Sequence, residues 1–314
     1  MKKRIISVLL ATVFALSVIG CGTKDTKEQD AYRQYGITCM ESGKYEDAVK
    51  AFQNALGESI GHIGEKELDI CFYKAKAQAL DGKTKDALAT YNAIIKYNKD
   101  ARAYYLRGDL YMDMGEEKKG RADFESAVQQ GKKNYEIYIG IYESLSRHEK
   151  KDEGQKYLSA AMEIKGDKPE DELYKGRISY LLGENKDAIS YLEKAKEHKQ
   201  MLASYYLGLA YDANGDSDKA KKCIAEYIKS GVATSYDLYE LGMQEMQDGN
   251  YKNALTYFNS GLELEKVPNK QNLMKSAIAA YEYSGDFDSA KKMMKEYLKA
   301  YPDDEEAKHE NTFL

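Results

Sequence analysis

A glycine returns at near-constant spacing along most of this chain: Gly43, Gly82, Gly115, Gly183, Gly215, Gly249 and Gly285, each inside a short polar break. With one member missing near Arg147, the mean interval is about 35 residues, the length of a stacked helical hairpin rather than of a domain with its own core. The residues between the glycines are patterned accordingly. A small residue stands in the middle of the stretch before each break (Gly36, Ala75, Gly108, Gly140, Gly176, Gly208, Gly242), and another follows the break (Ala48, Ala87, Gly120, Ala188, Ala220, Ala254, Ala290). Four residues further on comes a large apolar side chain, Phe52, Tyr91, Phe124, Leu192, Ile224, Phe258 or Met294, on the same helical face as that second small residue. Small residues at those two places let antiparallel helices approach closely. Nothing in the chain reads as a strand.

This arrangement resembles the tetratricopeptide repeat, whose signature is a small residue and an aromatic in the first helix, a turn glycine, then Ala and Phe in the second helix. Gly108, Tyr111, Gly115, Phe124 and Ala127 fit it, as do Gly208, Tyr211, Gly215 and Ala220. The resemblance implies an all-α fold, a right-handed superhelical solenoid of about eight helix-turn-helix units over residues 31–302, with a concave surface lined mainly by first helices. Residues 303–314 then form a C-terminal cap or tail. Three departures carry expectations of their own. The unit around Asn134 to Ile164 has no turn glycine and a charged break, Arg147-His148-Glu149-Lys150-Lys151, so its turn is expected to be longer by about two residues. Gly43 and Gly82 are more widely spaced than the rest, which predicts a longer connection over Gly57 to Gly64. The three prolines, Pro169, Pro268 and Pro302, fall between units, where a helix has to stop.

The N-terminus has a different character. Lys2, Lys3 and Arg4 precede an apolar run from Ile5 to Ile19, the layout of a secretory signal peptide and short of the about 20 apolar residues of a membrane span. Val18-Ile19-Gly20-Cys21 resembles the lipobox of bacterial lipoproteins, which implies removal of residues 1–20 and acylation of Cys21. The mature protein would then be held at a bacterial membrane, outside the cytoplasm, with residues 21–30 as the lipidated cysteine and a tether. Loss of the leader would leave 44 Lys plus Arg against 52 acids, so an anionic body is expected to stand off the bilayer rather than lie on it.

Composition excludes several functions. The net charge is −5, with no basic surplus to attract a phosphate backbone, so nucleic acid is not an expected partner. No HExxH, CxxC, phosphate-binding Gly-rich loop or GxSxG occurs, and no catalytic residue, metal site or cofactor is expected. The segment Asp212 to Asp218 begins like a calcium loop, but Ser217 replaces the glycine and Cys223 the bidentate glutamate, so it reads as a repeat turn. His62, His148, His198 and His309 are scattered without carboxylates at ligand spacing along the chain. Cys39, Cys71 and Cys223 are expected as reduced, interior thiols.

The resemblance places Phe72, Tyr105, Met112, Tyr180, Tyr205, Leu209, Tyr236, Tyr239, Met243 and Met246 in the groove as candidates for holding a peptide. Aromatic rings and adaptable Met side chains suit that work, although tyrosines at helical spacing also serve as core. The positions at which some repeat grooves clamp a terminal carboxylate hold Ile37, Lys76, Asp109, Ile141, Arg177, Leu209 and Met243, which do not form such a clamp. The expected function is a lipid-anchored scaffold binding a protein or peptide of the cell envelope, in assembly, secretion or wall machinery. A small-ligand or glycan-binding lipoprotein and an architectural or self-assembling spacer are the alternatives.

Overall fold

In the computed structural model the described residues are 26–59, 63–166 and 168–314; the leader, Cys21 and His62 lie outside them. Among the described residues there are seventeen helices and no strand. Sixteen of them form eight hairpins. Six hairpins lie within a first compact unit, Lys24–Val232: α1 (Thr26–Glu41) with α2 (Tyr45–Gly57), α3 (Glu65–Leu80) with α4 (Thr84–Asn98), α5 (Ala101–Asp113) with α6 (Glu117–Gln130), α7 (Tyr135–Arg147) with α8 (Lys151–Met162), α9 (Pro169–Leu182) with α10 (Asn185–Glu197), and α11 (Leu202–Ala213) with α12 (Ser217–Lys229). A second unit, Ala233–Leu314, holds α13 (Ser235–Gln247) with α14 (Tyr251–Leu262), α15 (Lys270–Tyr283) with α16 (Phe287–Ala300), and the short α17 (Glu305–Glu310).

The hairpins close through one recurrent contact. A helical glycine in the first helix faces a large side chain sixteen residues later in the second: Gly36 meets Phe52, Gly108 meets Phe124, Gly176 meets Leu192, Gly208 meets Ile224 and Gly242 meets Phe258. A Cβ built at any of these five glycines would lie 2.3–2.9 Å from that side chain, well inside contact distance. The partner side chains are at most 5% exposed, so in these five hairpins the pairing of a missing side chain with a bulky one seats the second helix on the first.

The turns follow from backbone geometry. All seven periodic glycines have φ between 71° and 86°, the left-handed region that side chains avoid. Each ends a first helix with a paired set of bonds, as where the Gly115 amide reaches Met112 O and the Glu116 amide reaches Tyr111 O. The glycine-free turn is not longer, contrary to expectation. Three residues separate α7 from α8 as they separate α5 from α6, and Glu149 itself takes the left-handed position at φ 61° with the same bonds, Glu149 N to Ser146 O and Lys150 N to Leu145 O. The chain accepts a strained residue there rather than lengthening the turn.

Two boundaries also shift. The stretch expected as a tether ends earlier, because α1 begins at Thr26, Gln29 is buried, and Asp30 pairs with Lys66 of α3 at 2.7 Å. At the other end the acidic segment after Pro302 folds as α17, with Ala307 packed against Met274, Ile278, Met294 and Tyr297. Pro169 occupies the first turn of α9, where its missing amide costs nothing. The connection from α2 to α3 is long, as its spacing requires.

Candidate functional site

Within the first unit, successive first helices touch one another, α1 with α3, α5 with α7 and α9 with α11, and no comparable pairing joins successive second helices among the described residues. The first helices are therefore the inner rank, and their solvent-facing sides form the candidate binding surface. Few of the sequence-derived groove residues lie open on it. Phe72 and Met112 are 6% and 3% exposed and belong to the core, a correction with a simple cause: each lies in a cluster that joins its own hairpin to the next, Phe72 with Tyr91 and Ala103, Met112 with Phe124 and Ile141. Tyr105 also leaves the candidate list. Its ring fills the space over Gly140, where a Cβ would come within 2.6 Å of Cζ, so it is the packing between α5 and α7.

Tyr180 packs half-buried beside Leu173 and Tyr211 of the α9–α12 core, and Leu209 is half-buried on α11. Tyr205 lies against Tyr206 and Tyr227, with centroids 5.1 and 5.3 Å away. In the second unit, Tyr239, Met243 and Met246 are half-buried against the Phe258 cluster, Met243 Sδ accepting from Ser276 Oγ at 3.6 Å, and Tyr236 is half-buried on the same helix. These seven keep a solvent-facing edge, but each is anchored by packing.

What the inner face presents instead is charge, arranged across the seams between hairpins. Arg33 of α1 donates to Asp69 of α3 at 2.6 Å, and its guanidinium also lies 5.1 Å from the Tyr73 ring. Arg102 of α5 stacks 3.6 Å over Phe72 of α3. Arg147, at the end of α7, reaches Asp109 of α5 at 2.5 Å. Arg177 of α9 is shared by Glu136 and Glu143 of α7 at 3.3 and 3.0 Å and faces Tyr206 of α11 at 5.5 Å. Desolvation raises the Glu143 carboxyl above the usual range in spite of Arg177. Lys76 stands apart from this ladder: it is half-buried on α3, burial alone lowers its pKa, and no carboxylate is paired with it among the described residues.

The sequence reading missed this ladder because its partners are 34–41 residues apart, one period along the chain. The signal was available in the repeat alignment, which sets acids and bases of successive first helices side by side. It also missed that the fold brings His148 within 3.2 Å of Asp113, one repeat earlier. Cys39 and Cys223 are buried and Cys71 half-buried, all three as free thiols; desolvation raises the Cys71 and Cys223 pKa values and holds them as poor nucleophiles. An open hollow of about 620 Å³ lies over α6–α8, and at its rim Arg121 is held by Glu153 and Glu117. No helix among the described residues is long and apolar enough to cross a membrane.

Hairpins of this length, joined by left-handed turns and stacked through their first helices, define an all-α solenoid. Family models of the tetratricopeptide repeat match residues 74–135, 202–230 and 271–304, so segments of both units are similar to that repeat. No curated protein matches the chain. Solved structures similar to it include a tetratricopeptide repeat protein from Parabacteroides merdae (12% identity, 81% of this chain and 99% of that one, TM-score 0.47). Others are PilW, a type IV pilus biogenesis factor (18%, 67% and 97%, TM-score 0.44), and the Cut9–Hcn1 hetero-tetramer of the APC/C (16%, 85% and 52%, TM-score 0.43).

Proposed function

We propose that this protein is a membrane-anchored, extracytoplasmic scaffold that holds a protein or peptide segment of the cell envelope on the inner face of its first helices. The observation that supports the reading is that face itself. Tetratricopeptide arrays generally mediate contacts between proteins, and here the inner rank offers rigid half-buried tyrosines, the bases Arg33, Arg147 and Arg177 fixed by acids of neighbouring first helices, and the half-buried cation Lys76, with no carboxylate paired to it among the described residues. A pre-ordered face of this kind loses little entropy on binding, and an unpaired half-buried ammonium gains most from an incoming carboxylate. The leader and the lipobox-like Val18–Cys21 supply the anchor in this reading.

Two experiments test its two halves. Metabolic labelling with an alkynyl fatty acid should mark the wild-type chain and leave Cys21→Ser unlabelled and released from membranes; equal labelling of both would sink the anchor. A photo-crosslinkable residue at Arg102, an exposed position over Phe72, which lies one turn before Lys76 on α3, should trap a discrete protein in cells, and Lys76→Glu should reduce that adduct by at least tenfold with helicity unchanged. An adduct indifferent to Lys76→Glu would remove the inner face from the proposal.

A further inference from the structure

At the seam between α5 and α7 three side chains with metal-ligating atoms converge. Asp109 and Asp113 sit one turn apart on α5, and His148 caps the C-terminal end of α7; one ligand atom from each lies within 4.8 Å of the others. His148 Nε2 is shielded from solvent and stands 3.2 Å from Asp113 Oδ1, yet makes no aligned hydrogen bond with it. Around a zinc ion with bonds of about 2.1 Å, tetrahedral ligand atoms stand roughly 3.4 Å apart, so these three need close by only about 1 Å.

The charges agree. Asp109 is 4% exposed and gives one oxygen to Arg147, and a carboxylate has two. Asp113 has no guanidinium of its own. Arg147 pairs with only one of the two acids, so the other carboxylate is left without a guanidinium beside Tyr105 and Glu143, which face the same seam. We infer that Asp109, Asp113 and His148 form a site for a divalent transition-metal ion of the zinc type, which would clasp the third hairpin to the fourth. Imidazole with carboxylates selects such an ion over calcium or magnesium, which take oxygen ligands alone. This site is independent of the protein-binding reading.

The test uses the full-length chain in detergent, stripped with a chelator and titrated with Co²⁺, whose visible d–d absorption reports imidazole and carboxylate ligation directly. Wild type should develop a saturable band at one equivalent, displaced by Zn²⁺, and its melting midpoint should rise with Zn²⁺ concentration. His148→Gln and Asp113→Asn, both at partly exposed positions, should each weaken binding by at least tenfold with far-UV circular dichroism unchanged. His309→Ala should bind as wild type does. A wild-type chain without the band, or a band that survives both His148→Gln and Asp113→Asn, would overturn the site.

Discussion

Replacing a helical glycine by alanine ordinarily stabilises a helix by about 0.5–1 kcal/mol, because glycine has more backbone freedom to lose. Two glycines of this protein should respond with opposite signs. At Gly57, in the last turn of α2, nothing lies within 4 Å of an added Cβ, and Gly57→Ala should stabilise by roughly 0.5 kcal/mol. At Gly242 the same methyl would stand 2.3 Å from Phe258 Cε1, 2.6 Å from Cδ1 and 2.8 Å from Cζ, where carbons rest at about 3.5–4.0 Å. Phe258 is fully buried beneath Leu273 and Ala277, so the ring cannot simply swing out. Overpacking of this kind costs about 1–3 kcal/mol, and after the helical gain is subtracted Gly242→Ala should lose about 1–2 kcal/mol. For a unit of this size that lowers the melting midpoint by about 4–8 °C per kcal/mol. Urea denaturation followed by circular dichroism gives the sign, and amide exchange should show the loss confined to α13–α16. If Gly242→Ala raised the midpoint as Gly57→Ala does, glycine-to-bulk seating would not be what joins the helices of a hairpin.

Two further outcomes follow from local geometry. Glu149 holds a left-handed conformation that costs a side chain about 1–2 kcal/mol, so Glu149→Gly should stabilise the α7–α8 hairpin, by about 0.5–1 kcal/mol once the greater unfolded freedom of glycine is counted; a lower urea midpoint would refute the strain. Asp304 accepts from Lys275 at 2.8 Å and from Tyr297 Oη at 2.5 Å, which holds its carboxyl well below the usual carboxylate range. A depressed acid stabilises the fold above its unfolded pKa of about 3.9 and loses that contribution as pH falls further. The α15–α17 region should therefore weaken below about pH 4, and Tyr297→Phe should flatten that limb while lowering stability at pH 7 by about 1 kcal/mol. A limb as steep in the variant as in wild type would count against the contact.

The fold was legible in the sequence because its determinants are local and periodic. A left-handed turn demands glycine, and the glycine-to-bulk contacts recur at one spacing, so Gly108 and Phe124 announce their hairpin without knowledge of the others. Glu149 shows where that logic stops: the reading inferred a longer loop from a missing glycine, whereas neighbouring hairpins fix the turn and impose the strain. The binding surface was far less legible. Phe72, Met112 and Tyr105 carry the residue types of a recognition face, but which flank of a helix meets solvent depends on how hairpins lean together, a tertiary fact. The seam charges were invisible for the same reason, since Arg177 acquires Glu143 only when α9 docks on α7.

Those seams also bear on how such a chain can change in evolution. Between α1 and α3 the cation, Arg33, lies on the earlier helix and the acid, Asp69, on the later one; between α5 and α7, and again between α7 and α9, the order is reversed, with Asp109 and Glu143 preceding Arg147 and Arg177. Each hairpin is thus keyed to its neighbour. A duplicated or transposed hairpin would fit by shape, because five of the eight seat a glycine against the same large position, but it would meet the wrong charges at its edges. Chains built from near-identical units can lengthen or shorten by whole repeats; this one has exchanged that freedom for a fixed order and count, and for protection against docking out of register while it folds.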